Sequence, residues 1–67
     1  MKNFMVNGFP VKLLTRTNRV IIIDEENVLK REDSSAIMKY LDEEGFFEKY
    51  KFNEDRPIKV EVYKKSS

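Results

Sequence analysis

The stretch RVIIIDEEN, residues 19–27, changes character in a single step. Four β-branched apolar residues (Val20, Ile21, Ile22, Ile23) run into three acids (Asp24, Glu25, Glu26). Branching at Cβ suits a pleated surface, so Val20–Ile23 reads as a strand that DEEN ends in a turn. A strand with one wet face alternates apolar and polar residues. This one is apolar at every position, so both of its faces ask for cover. Leu13 and Leu14, adjacent in sequence, make the same demand of the strand before it.

Working outward, FMVNGFPV (residues 4–11) sets Asn7-Gly8 between apolar flanks. Asn-Gly is the preferred pair for a type I′ turn, whose central residues both need positive φ. The spacing predicts strands at about 2–6 and 9–15, with Pro10 at an edge or a bulge because it cannot donate to a ladder. TRTNR (15–19) is the next polar break, with Asn18 suited to a left-handed turn position. VLKR (28–31) reads as a short further strand.

DSSAIMKYLDEEG then carries a helix signature over about 35–44. Asp33 or Ser34 can cap its start. Ile37, Tyr40 and Leu41 form one apolar stripe, and Gly45 suits the position just past its end. FFEKYKF (46–52) alternates, and IKVEVY (58–63) alternates with Ile58, Val60 and Val62 on one face. With the polar NEDRP between them, the two runs read as a C-terminal β-hairpin. The alternative is that FFEKY continues the helix after a kink at Gly45. The expected fold is α+β: a small, mainly antiparallel sheet made of a β-meander and a C-terminal hairpin, with one short helix. The chain of 67 residues makes one domain, with 64–67 as a frayed tail.

Composition removes several kinds of chemistry. There is no Cys and no His. Disulfides, thiolate or imidazole zinc sites, and Ser-His-Asp or Cys-His catalysis are therefore unavailable within this sequence. The two glycines, Gly8 and Gly45, make neither a dinucleotide fingerprint nor a phosphate loop. Asp24, Glu25, Glu26 and Asn27 lack the alternating spacing and central glycine of a calcium loop. The expectation is a noncatalytic protein with no cofactor and no metal.

No apolar run approaches the ~20 residues that span a bilayer, and the first residues lack a signal-peptide core. The chain reads as soluble and cytoplasmic, with no membrane partner. Its richness in Lys, Asn, Ile, Phe and Tyr, whose codons are AT-rich, points to a low-GC bacterium or a phage of one.

Charge is unevenly placed. Residues 1–23 hold four bases and no acid; residues 24–55 hold eleven acids and five bases; residues 56–67 hold four bases and one acid. A small domain buries only ~60% of its unfolded surface, and one helix covers only one face of a sheet. The second face, with Leu13, Ile21 and Ile23, is the expected seam of a homodimer. The acidic helix side (Asp42, Glu43, Glu44), with Tyr40, Phe46 and Phe47 as aromatic anchors, is the expected surface for another protein that this one binds and modulates or inhibits. The alternative is a nucleic-acid-binding regulator that uses a basic hairpin tip: Arg16, Asn18 and Arg19.

Overall fold

A computed structural model describes residues 2–65. The chain is α+β, as its pattern implies. A four-stranded sheet runs in the order β1-β2-β3-β4, with two helices between β3 and β4.

The first three strands form the expected meander. β1 (Lys2–Val6) and β2 (Phe9–Leu14) pair antiparallel across Asn7-Gly8, with Val6 opposite Phe9. Both turn residues have positive φ, 50° and 83°, as a type I′ turn requires. Pro10 lies in a central strand, not at an edge. The missing donor is tolerated because the β2–β3 pairs run only from Val11↔Ile22 to Leu14↔Arg19, leaving Pro10 just outside that ladder. A single 3₁₀ turn, Thr15–Thr17, leads into β3 (Arg19–Asp24), with Asn18 at φ 50° between them.

Beyond β3 the structure departs from the sequence expectation in four places. Residues 28–30 are not a strand. The carboxylate of Asp24 accepts the amides of Val28 (2.9 Å) and Leu29 (3.0 Å), which holds that segment back against the end of β3. Helix α1 (Arg31–Glu43) starts four residues before the expected 35. Asp33 still caps it, but from the third helical position, accepting the Lys30 amide at 2.9 Å.

The third departure is FFEKYKF, which is not a strand. Phe46–Lys49 is a helical turn, α2, entered through Gly45 at φ 73°. Phe46 and Tyr50 stack with ring centroids 5.8 Å apart, and Phe47 meets Phe52 edge-on at 5.2 Å. With no strand at 46–52 there is no C-terminal hairpin. The last strand, β4 (Lys59–Lys64), instead pairs parallel with β3, from Arg19↔Lys59 to Asp24↔Lys64. The sheet is therefore mixed. Lys64 ends a strand and is not part of a frayed tail; Ser66 and Ser67 lie outside the described residues.

The helices pack on one face only. Val6, Val11, Leu13, Val20 and Ile22 point from the sheet toward Ile37, Leu41 and Phe52, which together form the buried core. Ile37 and Leu41 stand one turn apart on α1, so a single stripe seats the helix. Among the described residues no helix is long and apolar enough to cross a membrane.

Candidate interaction surface

Strand geometry sorts the remaining side chains. Successive residues point to opposite faces, so the partners of the core-facing positions define an open face. Three cross-strand rows lie on it. Asn3, Lys12, Ile21 and Glu61 form one row; Leu14, Arg19 and Lys59 form the next toward the 3₁₀ turn. The third holds Met5 opposite Pro10 and Ile23 opposite Tyr63; Pro10 and Ile23 line one open hollow of about 370 Å³ beside Asn7–Phe9 and Val28.

That third row is apolar from one sheet edge to the other. Met5 is 68% exposed and Tyr63 56%, while Ile21 and Ile23 are half-buried by their neighbours on the sheet. Nothing in the described residues packs over this face, because β4 joined the sheet and did not fold across it. The expectation of an uncovered second face therefore holds for Ile21 and Ile23. It fails for Leu13, which has 0% exposure and points into the core beneath the helices. Adjacent residues on a strand cannot share a face, and it is Leu14 that looks outward.

The rim of the apolar row carries Lys12, Arg19 and Lys59 against one acid, Glu61. Arg19 and Glu61 make a two-pronged ion pair, with Arg19 Nε donating to Glu61 Oε1 at 3.1 Å and a terminal guanidinium nitrogen to Oε2. The hydrogen bond first, and then the charge of Glu61, raises the Arg19 pKa above its ordinary value.

The basic tip expected for nucleic acid looks different in three dimensions. Asn18 is buried and its amide is fully engaged within the chain. Its Nδ2 donates to the carbonyls of Asn53 (2.6 Å) and Arg56 (3.2 Å), and its Oδ1 accepts the Asn53 amide at 3.0 Å. Its own carbonyl accepts the Lys59 amide at 2.8 Å, which starts the β3–β4 ladder. Asn18 is thus the clamp that docks the returning chain. With Asn18 occupied and Arg19 paired to Glu61, Arg16 is the exposed remainder of that tip. Sequence reasoning found the left-handed backbone of Asn18 but not its clamp role. The signal was present as an Asn at a turn position followed at once by the most apolar strand.

On the helix side, Tyr40, Asp42, Glu43 and Glu44 are exposed. Glu43 reaches Lys39 one turn away at 3.8 Å, an ordinary solvated pair. Phe46 and Phe47 are half-buried and pack against the core; Phe46 stacks on Phe4 at 4.9 Å. They hold α2 down, leaving Tyr40 as the exposed aromatic among these six. The acids that follow β3 divide in role: Asp24 is buried and bound to two amides, whereas Glu25 and Glu26 are exposed in the turn.

Comparison with protein families, with characterised proteins and with solved structures finds no match to this chain.

Proposed function

We propose that this chain is a noncatalytic protein-interaction module, a cytoplasmic homodimer that binds and modulates another protein, acting as an inhibitor or regulator. One observation carries the reading: an apolar row, Met5–Pro10–Ile23–Tyr63, crosses a sheet face that no other part of the described chain covers. Apolar surface of this kind, rimmed by polar groups, marks interaction sites. The rim of Lys12, Arg19 and Lys59 suits a partner with acids around an apolar centre. The exposed acidic side, Tyr40 with Asp42, Glu43 and Glu44, offers a second contact of opposite charge. The nucleic-acid alternative is less favoured, because its Asn18 and Arg19 already have partners within the chain.

The test is an affinity pull-down from the native host, with and without nuclease, using the natural chain and Ile23→Lys. A stoichiometric protein partner that survives nuclease and is lost with Ile23→Lys supports the reading. Recovery that vanishes on nuclease treatment, or capture indifferent to Ile23→Lys, overturns it.

A further inference from the structure

The sheet has two outer edges, and they are not equivalent. β1 turns Phe4 and Val6 toward the core side, where Val6 is buried and Phe4 packs against Phe46 and Tyr50. β4 turns Val60 and Val62 to that same side, opposite Val20 and Ile22. Yet Val60 remains 41% and Val62 38% exposed, and neither belongs to the buried core or the side chains packed against it. All six residues of β4 are exposed. The strand has joined the sheet along one side without completing its burial.

Its backbone is equally one-sided. The Lys59 amide points inward, to Asn18. Backbone groups alternate along a strand, so Glu61 and Tyr63 also face β3, while Val60, Val62 and Lys64 present their N–H and C=O groups outward. A row left unpaired by the described residues is a template for another strand.

We propose that this outer edge of β4 is the homodimer interface, pairing antiparallel with β4 of a second copy about a two-fold axis through Val60. The inference deepens the homodimer reading above by naming where the second copy sits. Self-pairing with like faces aligned allows only registers that match residues of the same parity. Centring on Glu61 places Glu61 opposite itself, a like-charge pair. Centring on Val62 places Lys59 opposite the partner's Lys65. Centring on Val60 removes both conflicts within the strand: each Lys59 faces the partner's Glu61, which also holds Arg19 of its own chain, on the open face, and each Ile58 faces the partner's Val62 on the helix side. Arg56, whose position before the strand would fall opposite the partner's Lys64, is tied back by its carbonyl to Asn18. The outward groups of Ile58, Val60 and Val62 then form about six backbone hydrogen bonds. Six aliphatic side chains close over the uncovered flank of the core. In this register Lys59 and Glu61 of one copy are complementary to Glu61 and Lys59 of the other. The product is an eight-stranded sheet whose two open faces lie side by side, which leaves the apolar rows free for another protein.

The chain contains no cysteine, so single introduced cysteines report the geometry cleanly. Residue pairs of the bonded type sit about 5.5 Å apart between Cα atoms, within disulfide reach. Val60→Cys should cross-link to itself in a glutathione buffer at least about tenfold faster than Ile21→Cys, Ile23→Cys, Glu61→Cys or Val62→Cys. Sedimentation equilibrium should show a dimer for the natural chain. Lys59→Glu should weaken it by about tenfold, since two attractive pairs become repulsive, and Lys59→Glu with Glu61→Lys should restore it. Fastest cross-linking at Ile21 or Ile23 would mean a face-to-face dimer. Fastest cross-linking at Glu61 or Val62 would mean another register. A natural chain that stays monomeric at several hundred micromolar would mean no dimer; each of these outcomes overturns the proposal. The pull-down with Ile23→Lys reads partner capture separately, so loss of the dimer and loss of the interaction function are told apart.

Discussion

Asn18→Ala should destabilise this protein more than any other single truncation at a turn. The side chain makes three hydrogen bonds to residues at least 35 positions away, and it sits at φ 50°. A neutral intramolecular hydrogen bond contributes about 1 kcal/mol net, so the three together contribute about 3 kcal/mol. An alanine held in the left-handed region adds roughly 1 kcal/mol of backbone cost. The expected loss is therefore about 3–5 kcal/mol. A chain of this length has only ~3–10 kcal/mol in total, at about 0.05–0.15 kcal/mol per residue. Urea unfolding, followed by circular dichroism and by the fluorescence of the three tyrosines, measures the loss directly. Asn18→Gly separates the two causes. It relieves the backbone but adds freedom to the unfolded chain, so it should fall within about 1 kcal/mol of the alanine variant. Hydrogen exchange gives the location: the inward amides of Lys59, Glu61 and Tyr63 should lose protection before those of β2. The reasoning is refuted if Asn18→Ala costs less than about 1 kcal/mol, or if Asn18→Gly matches the natural chain.

Two further outcomes follow from the same geometry. Asp24→Ala strips the amides of Val28 and Leu29 of their acceptor and should cost about 2–4 kcal/mol in the same urea assay, hydrogen bonds to a charged group being the stronger kind; an unchanged midpoint would show that water replaces the carboxylate. Leu13→Ala should cost about 2–5 kcal/mol as a fully buried truncation, while Ile21→Ala on the open face should cost under about half as much in dilute solution, and equal losses would contradict the assignment of faces.

The meander was legible because every signal for it is local. Asn7-Gly8 sets the turn, and the strands on either side read at once. The sheet's uncovered side was legible too, from four consecutive β-branched residues that no ten-residue helix could cover twice. The C-terminal half was misread for one physical reason. Phe46 and Tyr50 stand four apart, and residues four apart share a face in a strand and in a helix alike. Period therefore could not decide between them, and Gly45, with φ 73°, was the deciding residue. Once 46–49 is a helical turn and 50–52 no strand, β4 has lost its expected partner and takes the nearest open edge, that of β3. The parallel pairing then depends on Asn18, a contact across 35 residues that no window along the chain contains.

The uneven charge of the sequence becomes a layered charge in the fold. The basic first segment builds β1 to β3, and the basic last segment returns as β4 beside them. The acidic middle supplies both helices and their connections. Bases therefore gather in the sheet layer and acids in the helical layer, although the whole chain carries only +1. This arrangement bears on how two copies can meet. Open face against open face would bring two basic rims, each of Lys12, Arg19 and Lys59 with Glu61 as the one acid, into a single interface. Desolvating like charges together is costly, so the apolar row is poorly suited to its own image and better suited to a partner with an acidic rim. The edge of β4 eases this conflict at its centre, since Lys59 and Glu61 alternate along it and become complementary when the strand is reversed. Charge thus separates two roles that hydrophobicity alone would merge: the strand edge suits self-association, and the sheet face suits another protein.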